Sequence, residues 1–337
     1  MENSPTPDNR DKHNALLKQF NEAKNKELRS KWQEKTENLD MEKDTTKLWK
    51  LAKALNEDRE PPRKATTLLH DGNHYSGKMA ANILADYYQD IGKNNVPATR
   101  IKEVRTEIRR QKKLIQPTEE MNAMFDLSEL DAALLQLGYK RAPGKDGVLN
   151  EMLTNIGPIT KDKLLLIINQ SWESGKFPDS WREAVIIPIP KPSKDNSTQL
   201  TVERFRPISL LSVIGKLMER MVNNRLIAYL ERNKLLNHSQ TAYRRNLSTE
   251  DQLALIAQEI ENAFQDKMNT VAMFVDLTKA FDKMWRQGLL LKLLYKKISG
   301  KMYDWIKDFL RYRTARVRVD GKLSHRVQSQ KVRHKEV

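Results

Sequence analysis

Two aspartates, Asp276 and Asp282, stand six residues apart in the stretch NTVAMFVDLTKAFDKMW, residues 269–285. Asp276 closes an apolar run and precedes a helical pattern, so the spacing predicts a buried-type strand, TVAMFVD, ending on a carboxylate. A carboxylate mounted there is rigid and partly withdrawn from water, which suits a ligand of Mg²⁺. That ion takes hard oxygens, usually one or two carboxylates plus substrate phosphates. The plainer reading is a strand-end aspartate that caps the next helix. Asp282 falls in the first turns of the predicted helix KAFDKMWRQGLLLKLLYKKI, where its charge complements the helix dipole, and its role is read as structural. Other metal chemistry is poorly provided for. The chain has no cysteine, which removes disulfides and zinc–thiolate sites, and its six histidines are scattered.

The elements that must position these residues begin far upstream. Leu48, Leu51, Ala52 and Leu55 recur at helical spacing in a charge-dense segment that stops before Pro61 and Pro62. EDREPPRK reads as a linker, a helix follows with Met79, Ile83, Tyr87 and Ile91 on one side, and residues 95–125 read as a basic connector. DLSELDAALLQLG opens with a possible capping box from Ser128 to Asp131 and ends in glycine. RAPGKDG is turn punctuation, KDKLLLIINQSWESG an apolar helix, and EAVIIPIPKP a strand whose prolines place it near an edge or its own end. A helix aligns Ile214, Leu217, Met218 and Met221, and a second starts on Ser-x-x-Asp in STEDQLALIAQEIENAF. RYRTARVRVDGKL alternates arginine with Ala315, Val317 and Val319 before Asp320-Gly321, a hairpin signal. The mixture from residue 127 onward predicts an α+β domain.

A chain of 337 residues is long enough for roughly two ordinary domains. Its net charge of +16 favours a polyanionic partner, nucleic acid ahead of an acidic membrane surface. No window reaches the roughly 18 apolar residues of a membrane span, and the polar start MENSPTPDNRDKHN has no apolar core for secretion. The expectation is an intracellular protein with no membrane partner.

Four stretches in order, LGYKRAPGKDGV, RFRPISLLSVIGKLMERMVNNRL, QTAYRRNLSTEDQLAL and FVDLTKAFDKMW, resemble the reverse transcriptases of non-LTR, LINE-type retrotransposons, nearest to the jockey-like group. With SWESGKFPDSWREAVIIPIPKP between them, the resemblance covers residues 127 to about 325. It implies polymerase fingers and a partial palm over residues 127–337. Residues 1–126 then resemble the basic, mostly helical linker of such elements, without an endonuclease.

The resemblance also implies roles. Asp276 becomes a catalytic metal ligand for two Mg²⁺ ions, aided by the backbone carbonyl of Val275 or Leu277. Phe281 packs under the sugar of the incoming nucleotide and favours deoxynucleotides. Arg206 lies over the triphosphate, where a guanidinium fork suits phosphate oxygens, and Lys191 faces the γ-phosphate. Gly144 and Gly147 let a loop backbone approach the template, and Arg244 and Arg245 contact its phosphates. The partners implied are an RNA template, a DNA primer and deoxynucleoside triphosphates, in the nucleus and cytoplasm.

Departures from the family pattern set further expectations. QTAYRRNLST carries alanine and asparagine where relatives have glycines, and KVRHKEV has Lys331 and Lys335 where a glycine turn is expected. The aromatic-x-Asp-Asp motif does not follow: Asp304 sits in a helical pattern and Asp320 in a hairpin turn. One carboxylate cannot hold two ions tightly, so the chain alone is expected to bind Mg²⁺ weakly and polymerise little, with a sheet edge and apolar helix faces left exposed. A degenerate remnant that binds nucleic acid by charge alone is the alternative. A basic helical scaffold explains residues 10–58 and none of the later motifs.

Overall fold

The computed structural model describes residues 67–191, 200–277, 279–280 and 282–328, with scattered positions between 15 and 34. The chain divides into two compact units, Met1–Lys64 and Ala65–Val337. In the first unit the described positions are helical and exposed, and the pattern from Leu48 to Leu55 lies outside the described residues.

The second unit mixes helix and sheet. It opens with a hairpin that the alternation pattern missed, β1 (Leu68–His70) and β2 (Asn73–Tyr75), because strands of three residues are too short to show a period. Its signal was the dipeptide Asp71-Gly72, whose φ angles of 47° and 76° make the left-handed turn that hairpins favour. Helix α1 (Gly77–Ile91) follows, but its most buried residues are Ala80, Ala81, Leu84, Ala85 and Tyr88, while Ile83, Tyr87 and Ile91 of the predicted stripe pack partly buried at the edge of that core and Met79 does not. Three alanines let its backbone lie close on the sheet, so fit prevails over side-chain size and Met79 stays 58% exposed.

The predicted connector over residues 95–125 is also corrected. It holds the 17-residue helix α2 (Ala98–Leu114), with Val104 buried and Ile108 partly so, and the short helix α3 (Glu119–Asn122). Helix α4 (Leu127–Leu135) starts on a capping box from Asp126 to Glu129, two residues before the predicted one, with Asp126 accepting from the Glu129 N–H at 2.9 Å. Asp126 has extended backbone (ψ 172°), as an N-cap requires, while Ser128 already lies inside the helix and only supports the Asp126 carboxylate.

After α5 (Asn150–Thr154), helix α6 (Pro158–Ser174) takes proline in its first turn and ends on left-handed Gly175. Helix α7 (Val213–Arg232) buries Leu217, Met218 and Met221 of its predicted stripe, with Ile214 only partly buried and Val213 buried beside them. Helix α8 (Thr249–Gln265) has the expected Ser248–Asp251 capping box yet buries none of its residues. Two shorter helices, α9 (Arg286–Tyr295) and α10 (Lys301–Phe309), complete the set, and α10 contains Asp304. Asp282 is therefore not a helix-start charge. Its N–H closes a turn onto the Lys279 carbonyl at 3.0 Å, and α9 begins four residues later.

At the sheet's centre, β3 (Glu183–Pro190) pairs antiparallel with β4 (Phe205–Leu210) along its length, and parallel with β5 (Thr314–Val319) only over Glu183–Ile186. Pro188 and Pro190 thus fall where β3 has a single neighbour, the place a strand tolerates a missing N–H. β5 turns at Asp320-Gly321 (φ 47° and 76°) into β6 (Lys322–Leu323), and β7 (Val327–Gln328) returns to pair with its start. Alternation sends Ala184, Ile186, Ala315 and Val317 into one core with α1 and Leu68, while the helices enclose a second core rich in aromatic rings.

Arg182 ties the two cores together. It precedes β3 and is 7% exposed. One Nη donates to the carbonyls of Asp308 and Arg311 at 2.7 and 2.9 Å. The other donates to the Phe177 carbonyl at 2.5 Å and to the Asp308 carboxylate, which also accepts from the Phe177 N–H at 2.7 Å. Replacing Arg182 by alanine takes the cation from a part-buried carboxylate and a donor from each of three carbonyls, a loss of about 3 kcal/mol. Asp179→Asn removes a partner that is 97% exposed and should cost under about 1 kcal/mol. Urea unfolding of the two variants should separate them in that order, and equal costs would sink the assignment.

Candidate functional site

The register of β3 on β4 places Ile189 opposite Arg206 and Pro190 opposite Phe205. Just beyond, the Lys191 N–H donates to the Arg204 carbonyl at 2.7 Å, and its Nζ donates to the Glu203 carbonyl at 2.6 Å. Two predicted nucleotide contacts, Lys191 and Arg206, therefore stand at one end of one strand pair. Arg206 is exposed, and neither cation forms an ion pair with a carboxylate among the described residues.

By alternation, Arg206 shares its sheet face with Glu183, Val185 and Arg316, the face turned away from α1. Glu183 is 13% exposed there and takes Lys145 at 2.9 Å, Arg326 at 3.2 Å and Arg316 at 3.3 Å. Burial pushes its carboxyl up, but the Lys145 hydrogen bond and the three cations outweigh that and leave it below the ordinary range. Sequence reasoning missed this anchor, because its partners lie 38, 133 and 143 residues away. No local pattern could have joined them.

Lys145 belongs to the loop APGKDG, which is held at several points. Asn150 Nδ2 donates to the Gly138 carbonyl at 2.6 Å, and the Gly147 N–H donates to the Gly144 carbonyl at 3.2 Å. Gly144 backs directly onto the chain between β4 and α7, where a Cβ would lie 2.3 Å from the Leu211 carbonyl carbon. Gly147 has φ +69° with open space around it. Of the two predicted template glycines, the first makes a close approach within the protein and the second leaves the loop tip clear.

The predicted arginine pair also divides. Arg244 forks onto Glu231 at 2.7 and 2.8 Å and donates to the carbonyls of Asn237 and Gln240 at 3.1 Å, so it fastens this loop to the end of α7. Glu231 is held below the usual carboxylate range by that hydrogen bond. Arg245 is exposed and donates to the Asn224 side chain at 2.8 Å, its one hydrogen bond among the described residues.

Asp276 is placed differently from its prediction. Residues 269–277 form no strand, and Val271, Met273, Val275 and Leu277 are 73–92% exposed. Apolar composition makes a strand possible, but ladder hydrogen bonds must come from a neighbour, and no described strand supplies them. Phe281 lies outside the described residues. Among the described residues no three histidine, aspartate or glutamate side chains gather into a metal-binding group. A little beyond it the chain returns to α1: Lys279 Nζ lies 5.4 Å over the Tyr87 ring, and Asn94 Nδ2 donates to the Met284 carbonyl at 3.3 Å.

Comparison with known proteins agrees with this reading of the motifs. Residues 189–334 match the reverse transcriptase (RNA-dependent DNA polymerase) family. The chain is 34% identical over 195 residues to the RNA-directed DNA polymerase from mobile element jockey of Drosophila melanogaster, covering 58% of this chain and 21% of that protein. It is also 34% identical over 198 residues to the probable RNA-directed DNA polymerase from transposon BS of the same fly, with 59% and 21% covered. Transposon TX1's uncharacterized 149 kDa protein from Xenopus laevis matches at 23% over 206 residues, 61% of this chain and 15% of that one. The chain thus spans about a fifth of the length of the relatives it matches best among these. Over the matched stretch the chain is thus similar to reverse transcriptases, and the relatives of highest identity among these are RNA-directed DNA polymerases of mobile elements.

Two substitutions and a titration check the loop's anchoring. Gly144→Ala forces backbone against backbone and should destabilise by about 1–3 kcal/mol, whereas Gly147→Ala meets only left-handed strain, about 1–2 kcal/mol. Folded Glu183 holds its proton more weakly than the unfolded chain does, so its stabilisation is full above the ordinary glutamate value of about 4.3 and fades as pH falls below it. Glu183→Gln should flatten that acid limb in thermal melts. An unchanged acid limb would show that the three cations do not act on it.

Proposed function

We propose that this chain carries the template- and nucleotide-binding part of an RNA-directed DNA polymerase of a non-LTR retrotransposon, built as polymerase fingers and the front of a palm over residues 127–337. Residues 1–126 are proposed as its basic linker. The observation that carries the reading is the pair Lys191 and Arg206, two cations without carboxylate partners among the described residues at one end of β3 and β4, inside the segment that matches reverse transcriptases.

In this reading Arg206 grips the triphosphate of a deoxynucleotide bidentately and Lys191 adds a point charge near its γ-phosphate. Gly147 and Arg245 meet an RNA template, with Gly144 and Arg244 holding their loops in place, and Phe281 selects the sugar. Asp276 is the proposed catalytic carboxylate, with the carbonyl of Val275 or Leu277 beside it. The family uses divalent metal ions, but the described residues offer one exposed carboxylate and no ligand cluster, which do not make a Mg²⁺ site by themselves. The chemistry assigned to these residues is therefore binding and orientation of template, primer and nucleotide.

The exposure of residues 271–277 favours a second reading, a nucleic-acid-binding retroelement remnant without polymerase activity. Primer extension on an RNA template, run with Mg²⁺ and an Asp276→Ala control, separates the two. The expected outcome is salt-sensitive binding of template and primer with extension near background. Robust extension that disappears in the variant would overturn the binding-only part. Arg206→Ala should weaken triphosphate binding by about tenfold or more, as loss of a charge-assisted hydrogen bond does. No measurable RNA binding at low salt would remove both readings.

A further inference from the structure

Helix α2 carries seven basic and two acidic residues in ATRIKEVRTEIRRQKKL. Both acids are engaged on the helix itself, Glu103 with Arg100 at 3.0 Å and Glu107 with Arg110 at 2.6 Å. Lys112 pairs with Asp304 at 2.7 Å and lies 4.6 Å over the Tyr303 ring. The remaining four, Lys102, Arg105, Arg109 and Lys113, are exposed and form no ion pair among the described residues. Their spacing of three, four and four residues puts them on one outward stripe.

The stripe rests on a rigid mount. Val104 is buried, Ile108 packs against the helical core, and Tyr295 of α9 reaches Glu107 at 3.3 Å. Side chains at helical spacing lie close together, so four unneutralised like charges repel one another and disfavour the helix that carries them. A polyanion laid along the stripe reverses that cost. Its four cations span about 16 Å, and duplex nucleic acid offers one negative charge per roughly 1.7 Å of axis over that length.

The geometry points to α2 as a docking surface for the phosphate backbone of a nucleic-acid duplex, separate from the proposed nucleotide site and resting on that reading only for the choice of polyanion. Two features of the helix select this partner. It contains no aromatic residue, so it lacks the platforms on which unpaired bases stack. Beside the stripe lie Ala98, Thr99, Thr106 and the partly buried Ile101, and one half-covered isoleucine is too little apolar surface to sink into a lipid layer. Contact is thus by charge, and independent of base sequence.

The test is binding of the full chain to a mixed-sequence duplex of about 20 base pairs, about two helical turns, by fluorescence anisotropy across a salt series. Replacing Lys102, Arg105, Arg109 and Lys113 together by glutamine should reduce the slope of log affinity against log salt by about 3, close to 0.9 for each lost phosphate contact. Arg100→Gln with Arg110→Gln removes charges of the same helix off the stripe and should leave the slope nearly unchanged. Arg105→Lys with Arg109→Lys keeps the charge and should keep the binding. Triphosphate binding, which Arg206→Ala weakens, should not respond to the stripe variants, so failure of one assignment is distinguishable from failure of the other. Should the fourfold variant not fold, acylation footprinting of the unmodified chain decides: bound duplex must protect Lys102 and Lys113 while leaving the outward Lys292 reactive. An unchanged salt slope, unprotected lysines, or loss of binding to phosphatidylserine vesicles with duplex binding intact would each overturn the proposal.

Discussion

The guanidinium of Arg182 is the joint on which both cores depend. It sits between the aromatic-rich helical core and the first residue of β3, and it is nearly enclosed, so its charge is tolerable only with a full set of acceptors around it. Those acceptors come from residues 177, 308 and 311, which brings the end of α10 against the start of β3. The consequence is topological. Once Arg311 is held there, β5 starts beside β3 and runs parallel to it from Glu183↔Thr314 onward. Parallel neighbours cannot be joined by a tight turn, and here 123 residues lie between Pro190 at the end of β3 and Thr314 at the start of β5. A polar contact, not burial alone, therefore sets the register between sheet and helices.

The candidate site inherits this arrangement. Glu183 follows Arg182 directly, and its carboxylate gathers Lys145 from one loop, Arg316 from β5 and Arg326 from the segment before β7. One acid neutralises part of a strongly cationic sheet face, while Arg206 on the same face has no carboxylate partner among the described residues. In a chain of net charge +16 the informative cations are those whose partners are absent from an otherwise paired neighbourhood. By that criterion Arg206, Lys191 and Arg245 differ from Arg244, which is fully engaged by Glu231 and two carbonyls.

Much of this was legible in the residues, and the limits have physical causes. Period and capping gave helices α6 and α7 and the start of α8, and the Asp320-Gly321 turn gave the β5–β6 hairpin, because those signals are local. Wherever two local solutions competed, tertiary fit decided. Helix α1 turned its alanines inward against the sheet, and the cap of α4 moved from Ser128 to Asp126. The connector assigned to residues 95–125 proved to be a helix whose inner positions, Val104 and Ile108, are too sparse to announce themselves among so many charges. Motif order pointed to the similarity with reverse transcriptases, but it did not reveal the Glu183 anchor or the joint at Arg182, since both draw in residues more than a hundred positions away.

Asp276 shows most clearly what a motif leaves out. A carboxylate becomes a metal ligand when its backbone is fixed and its neighbours supply the other oxygens. The apolar residues before Asp276 have the composition of a strand that is covered on both faces, yet in this fold they are exposed on both and joined to no ladder. A row of unpaired N–H and C=O groups flanked by valine, methionine and phenylalanine is stable only when a strand edge and an apolar layer meet it together. Hydrogen bonding and burial are therefore a single condition for this segment: whatever pairs its backbone also removes its side chains from water and fixes the carboxylate at its end. The chemistry of Asp276 is thus a property of that pairing more than of the residue itself.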